Sequence, residues 1–253
     1  MEFNDLAALA AALAAGDVAC VLAEPAMTNV GIVLPEPGFH AALRELTRRH
    51  GTLLVLDETH TLSAGPGGCV AAWGLEPDVV TVGKPLASGI PAAAYGFTAA
   101  VAAGLRAAIR RDLADTGGLG GTLAGNALAL AAMRATLQQV LTVEAYAVML
   151  PLAERFARGV EGVIAEHGLP WIVQRLGARV EYWFRPAPPA NGAEAAAAVD
   201  PELERYLHLA ALNRGVLMTP FHNMALVCPQ TSAADVDLHT RVFADSVHAL
   251  ITG

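Results

Sequence analysis

Apolar and polar positions along the chain alternate between two regimes. From Leu6 to Ala15 nearly every residue is Ala or Leu, strong helix formers, and Gly16-Asp17 then breaks the run as a helix stop does. Val18 to Ala23 is a short unbroken apolar run bounded by Glu24-Pro25, which predicts a buried strand. Phe39, Leu43 and Leu46 recur at helical spacing with arginines between them, and Gly51 stands where a C-terminal cap falls, so residues 39 to 50 predict an amphipathic helix. Further apolar strands follow at Thr52 to Leu56, Val79 to Val82 and Ala92 to Phe97. Strand, helix, strand in this cadence predicts an α/β sheet, largely parallel.

Beyond Ala99 the texture changes. A helix is predicted to about Arg111, then a glycine-rich turn at Gly117 to Gly121, then a long helical stretch from Asn126 to about His167 interrupted near Thr142 and Pro151. Ile172 to Leu176 and Arg179 to Phe184 predict two strands around Gly177, and the Pro/Ala/Gly-rich run from Pro186 to Ala198 predicts a mobile surface loop. Helices at Glu202 to Arg214 and Ala233 to Leu250 flank short strands near Val216 to Met218 and Ala225 to Cys228. The chain therefore divides into residues 1–144, part of a large α/β domain, and residues 145–253, a small α+β domain. No repeat of solenoid period is present.

Composition narrows the class. With 253 residues, 54% of them hydrophobic and 16% charged, the chain has material for a sizeable core, so disorder is not expected. Apolar stretches are broken before the roughly 20 residues of a membrane span. Met1 to Asp5 carries two acids and no basic cluster, so no secretory or transit signal is read there, and a cytoplasmic location is expected. Cys20, Cys69 and Cys228 are too few and too widely spaced for a disulfide framework or a zinc knuckle, and are expected as buried thiols. A net charge of −8 with scattered arginines offers no nucleic-acid surface. Small-molecule chemistry is favoured.

The candidate chemistry lies in two residues at strand ends. Asp57 is the first polar residue after one buried strand, and Lys84, in Gly83-Lys84-Pro85, follows the next. Ligands of open α/β sheets bind outside the carboxyl ends of strands. A partly desolvated lysine there attacks carbonyls as a neutral amine, and an aspartate in the same crevice pairs with a protonated pyridine nitrogen. Spacing alone leaves a second reading open, with Lys84 a solvated loop lysine and Asp57 a helix cap.

The stretch EPAMTNVGIVLPEPGFHAALRELTRRHGTLLVLDETHT, followed by PDVVTVGKPLASGIPAAAYGF, resembles the central block of class III aminotransferases, near the glutamate-1-semialdehyde aminomutase branch, and the match runs nearly the whole chain. The resemblance implies a fold type I transferase dependent on pyridoxal 5'-phosphate. Lys84 carries the cofactor as a Schiff base and then shuttles the α-proton, and Asp57 holds the pyridine nitrogen. Asn29, ending EPAMTN, falls near the cofactor's phenolic oxygen, and His60 takes the slot of the glutamine in related DEVQTG sequences. Thr122, in GGTLAGN, is placed to reach the cofactor phosphate of a neighbouring subunit, which implies a homodimer with shared active sites. The reaction implied is amino-group transfer between a small-molecule amino donor and a keto or aldehyde acceptor. For His60 and Thr122 the residues themselves also allow a histidine bonded within a turn and a helix N-terminal turn without a ligand.

Two departures from the family qualify this. Its glycine/serine-rich phosphate loop and ring-stacking aromatic lie ahead of the first residues here, so the chain reads as N-terminally truncated, with one sheet edge open. Near the C-terminus, TPFHNMALVCP puts Met224 roughly where aminomutases carry a glutamate, which leaves the substrate open; His222 and Asn223 are substrate contacts or turn residues. Two rival functions remain: a catalytically impaired partner of a full-length subunit, and a racemase or decarboxylase on the same fold.

Overall fold

A computed structural model describes residues 1–110, 120–220 and 222–253. Helix α1 (Leu6–Leu13) begins at Asp5, whose side chain accepts the Ala8 N–H, and α2 (Phe39–Arg49) follows strand β1 (Cys20–Ala23). Leu9 and Leu13 of α1 and Phe39 and Leu43 of α2 bury against Leu54 and Leu56 of β2 (Leu53–Asp57). Periodicity made this packing predictable: alternate strand residues meet one helix stripe.

Strands β1 and β2 pair in parallel, β2 and β3 (Val79–Val82) pair in parallel, and β4 (Ala94–Phe97) closes the order β1-β2-β3-β4 antiparallel to β3. Arg44 clips this sheet, donating to both Asp78 oxygens at 2.6 and 3.0 Å, while Asp78 also accepts the Leu54 N–H at 2.8 Å. A short helix α3 (Gly68–Ala72) precedes β3. Helices α4 (Ala99–Arg110) and α5 (Ala127–Gln139) follow; Asn126 caps α5 by accepting the Ala129 N–H. The glycine-rich turn expected at 117–121 lies mostly outside the described residues.

Helix α6 (Val143–Glu166) runs unbroken through Pro151, against expectation. Pro151 and Ala147, the residue whose carbonyl loses its N–H partner, are both exposed, so the missing bond lies on the solvent side of the helix and not in its core. Strands β5 (Ile172–Leu176) and β6 (Arg179–Trp183) form a hairpin, joined antiparallel by β7 (Met224–Leu226). Val160, Val180, Phe243 and Val247 are among the residues of the core beneath this sheet.

Three other expectations are corrected here. The run 186–198 holds helix α7 (Gly192–Ala197), with Asn191 capping the Glu194 N–H and Ala195 fully buried beside Val33 and Trp183. Val216 to Met218 is not a strand; the described chain there follows α8 (Pro201–Leu212) without ladder bonds. Of the cysteines only Cys69 is buried, while Cys20 and Cys228 are exposed. The last helix, α9 (Ala233–Thr252), starts with a capping box between Ser232 and Asp235. Among the described residues no helix is long and apolar enough to cross a membrane.

Candidate active site

Parallel pairing of three consecutive strands brings their carboxyl ends to one edge of the sheet. β1 ends at Ala23 and delivers Glu24; β2 ends at Asp57 and delivers His60; β3 ends at Val82 and delivers Lys84. Lys84 opens a 3-10 turn, Lys84–Ala87, with its own φ at +40°. A non-glycine residue in this region costs about 1–2 kcal/mol, and such outliers concentrate where a side chain must be aimed. Helix α5 packs over this turn, and Ser88 and Thr136 hydroxyls bond across the contact at 2.9 Å.

Lys84 Nζ meets Nε2 of His60. The other ring nitrogen, Nδ1, lies 2.6 Å from the Thr28 hydroxyl, which donates to Glu24 Oε2. Glu24 and His60 themselves are 4.0 Å apart. Burial, with the Lys84 and Arg179 charges, depresses His60 to a pKa of about 4, so its imidazole is neutral at pH 7. Burial raises Glu24, reinforced by the nearby Asp57 charge and opposed chiefly by the Thr28 hydroxyl.

Arg179, at the start of β6, reaches this loop from the second sheet. Its guanidinium donates to the Thr28 carbonyl at 2.6 Å and pairs with Glu181 at 2.5 Å, while Glu181 also accepts the Ile32 N–H at 2.7 Å. Both side chains are buried. Burial pushes the Glu181 carboxyl up even against its Arg179 partner. The two sheets meet nearby: Ala178 N–H donates to Ser63 O at 2.9 Å, Tyr146 hydroxyl donates to Leu62 O at 2.8 Å, and Gly177, at φ +60°, leaves no room for a Cβ against Ala64 and Ser63.

A cleft of about 340 Å³ opens between them, lined by Thr59, His60, Lys84, Arg179, Tyr146 and Cys228 with apolar walls from Met149, Leu226 and Val227. Its size suits a small aromatic ligand. Asp57 does not line it; the carboxylate accepts the Thr59 N–H at 2.8 Å and acts on His60 and Glu24 by its charge. Lys84 lines the cleft yet is exposed in this chain rather than partly desolvated. Glu58, next to Asp57, points the other way, where it accepts the Cys69 and Val70 N–H groups and holds the start of α3.

The expected site residues are thus unevenly assembled. Lys84 and His60 touch, and Asp57 stands on the same sheet edge. Asn29 is exposed on the loop after β1, in a backbone bridge with Gly31, and is not part of the cleft lining. Thr122 is exposed in the turn before α5 and likewise does not line the cleft. Glu24, Thr28 and Arg179 were not picked out from the sequence. Glu24 had a visible signal, the first charge after a strand end; Arg179 had none, since it lies 95 residues beyond Lys84. Met224 is buried within β7 opposite Glu181, and His222 and Asn223 take positive φ values just before it.

Residues 2–243 match the family model described as aminotransferase class-III. The chain belongs to the class III aminotransferases. A glutamate-1-semialdehyde 2,1-aminomutase of Sorangium cellulosum is 37% identical over 225 residues, covering 87% of this chain and 49% of that protein. A second aminomutase of that name, from Brevibacillus brevis, is 36% identical over 87% of the chain and 50% of its own length. The crystal structure of a glutamate-1-semialdehyde aminomutase from Pseudomonas aeruginosa PAO1 superposes with a TM-score of 0.95 at 55% identity, over 99% of this chain and 56% of that one. A β-phenylalanine aminotransferase from Variovorax paradoxus superposes with a TM-score of 0.85 at 26% identity, over 98% and 56%. The chain spans about half the length of the curated relatives it matches. Membership fixes the fold as type I, with a mostly parallel sheet, and the cofactor of the family as pyridoxal phosphate. The residues present fit that group: an amine and an acid stand on one sheet edge, beside a cleft large enough for a ring.

Proposed function

We propose that this chain is the cofactor-bearing part of a pyridoxal-phosphate-dependent aminotransferase or aminomutase, with Lys84 as the amine that holds the cofactor. The observation that carries this reading is the convergence of Lys84, His60 and Asp57 on the carboxyl edge of the β2-β3 pair beside a cleft. When bound, pyridoxal phosphate supplies an electron sink for a carbanion next to an amino group. Asp57 would pair with the pyridine nitrogen and keep it protonated; Asn29 would stand near the phenolic oxygen, and neutral His60 would take the slot of the family's glutamine beside the cofactor. Lys84 would shuttle the α-proton of the substrate as general acid and base. Thr122 would donate its hydroxyl to the phosphate of a neighbouring subunit, which makes the working unit a homodimer. We place the boundary between the two units at residues 144–145, supported by α6, whose buried face belongs to the core under β5 to β7, and we take the cytoplasm as the location.

The substrates are a small-molecule amino donor and a keto or aldehyde acceptor. Similarity to proteins named glutamate-1-semialdehyde aminomutase supports the isomerising branch, whereas Met224, in the region aligned with the family glutamate, argues for open substrate choice. The second reading, an impaired partner for a full-length subunit, is favoured by the open β1 edge, where Leu22 is 66% exposed. Titration with pyridoxal phosphate tests both. A visible absorption band, and a mass added at Lys84 after borohydride, are expected for wild type and lost in Lys84→Ala; no band at saturating cofactor would sink the first reading. Product analysis with amino and keto acid pairs then separates transfer from isomerisation, racemisation or decarboxylation.

A further inference from the structure

The contact between Lys84 and His60 belongs to a longer chain of hydrogen bonds that crosses the ends of three adjacent parallel strands: Glu24 and Thr28 after β1, His60 after β2, Lys84 after β3. Its direction follows from donor counting. An ionised carboxylate only accepts, so the single Thr28 hydroxyl proton goes to Glu24. Thr28 Oγ1 then has only lone pairs left for the His60 ring 2.6 Å away, and Nδ1 must carry the hydrogen. A neutral imidazole has one N–H, so Nε2 is left as a lone pair, and Nε2 is the atom that meets the Lys84 amine.

We propose that Glu24 and Thr28 are positioning residues that lock His60 as the tautomer protonated at Nδ1, so that its Nε2 lone pair receives a proton of Lys84 and orients that amine. This rests on Lys84 being the working amine of the proposed function. Several features build the arrangement. Arg179, itself buried and paired with Glu181, donates to the Thr28 carbonyl and fixes the loop. The paired backbone bonds between Met27 and Val33, 3.0 Å each, close that loop on itself. The depressed His60 pKa keeps the ring neutral, the state in which tautomers exist at all. Reversing the Thr28 hydroxyl would put the His60 N–H against the Lys84 ammonium, donor to donor.

The experiment is nitrogen-15 NMR of the histidine-labelled full chain at pH 7 without cofactor, with the His60 signals assigned by their loss in His60→Gln. Wild type is expected to show a pyridine-type Nε2 and a pyrrole-type Nδ1. In a Lys84→Met background, where no ammonium holds the Nε2 lone pair, Thr28→Val should lose that preference and give averaged shifts, and Thr28→Ser should restore it. Glu24→Gln, which keeps an accepting oxygen, should retain the pattern, while Glu24→Leu should free the Thr28 proton for Nδ1 and reverse it. A proton on Nε2 in wild type, or an unaltered pattern in Thr28→Val in that Lys84→Met background, overturns the proposal. Where Thr28→Val and Glu24→Leu fail to melt cooperatively, Lys84→Met alone decides: a ring still protonated at Nδ1 supports the lock, and averaged shifts overturn it. Because no cofactor is present, failure here leaves cofactor attachment to Lys84 standing. Absence of the Lys84 band with the tautomer intact instead strikes the proposed function and spares the lock.

Discussion

Arg179 and Glu181 form a buried ion pair whose value lies in what each does for the other. Glu181 is 1% exposed, so removing its partner leaves a charge that water cannot reach. Arg179→Leu should lower the unfolding free energy by about 3–5 kcal/mol, measured by urea denaturation. Arg179→Leu with Glu181→Gln should recover part of it, because a neutral amide still accepts the Ile32 N–H. His239 gives a pH prediction. It is buried among Phe156 and Phe243, and desolvation lowers its pKa from 6.5 to about 4. The unfolded chain therefore takes up a proton at about pH 6.5 that the folded chain refuses, so stability is full above pH 6.5 and falls as pH drops toward 4. Glu24 and Glu181, raised by burial, carry the opposite sign. The His239 part is read as the difference between wild type and His239→Gln, whose stability should fall less steeply between pH 6.5 and 4.5. At this scale Lys84 and Asp57 were legible because a charged residue at or just past the end of an apolar strand run announces itself. Thr28 was not, since a threonine in a loop has no pattern to betray its partners.

Helix α6 shows where local rules yield to tertiary structure. A proline inside a helix removes one bond and is expected to break it, yet Tyr146, Met149, Ala153 and Phe156 continue one buried stripe through Pro151. Packing of that stripe outweighs the loss. Pro151→Ala should therefore stabilise the protein by about 1–3 kcal/mol, as restored helix bonding exceeds the extra freedom gained by the unfolded chain; no change in denaturation midpoint would contradict this. The segment 186–198 is the reverse case. Its Pro, Ala and Gly content suggests a loop, but the Asn191 cap, the Glu194 carboxylate on the Ala190 N–H and the burial of Ala195 hold a helical turn. Strands β1, β2 and β3 were readable to within about two residues from their continuous apolar runs, but the burial expected of β1 is not found: Cys20 and Leu22 are exposed, because nothing in the described residues packs on that face.

For the whole molecule, the described residues leave β1 paired on one side only, with Cys20 and Leu22 of β1 and Leu53 of the neighbouring β2 exposed. Exposed apolar edges template association, and α5 adds Leu128, Leu130 and Leu137 in exposed positions. Leu22→Lys should reduce self-association measured by light scattering at fixed concentration, with little change in thermal stability, since Leu22 is 66% exposed. Equal scattering from both proteins would remove the edge from the account.

By itself the sequence determined the α/β cadence, the family and the two residues at strand ends, because strand period, helix stripe and motif are all local in the chain. Only the tertiary structure decided which side chains share the Lys84 site. Glu24, His60, Lys84 and Arg179 span residues 24 to 179, and parallel pairing together with the approach of Gly177 to Ser63 brings them within bonding distance. Proton placement on His60 depends on that geometry, since the ring takes its tautomer from whichever partner accepts.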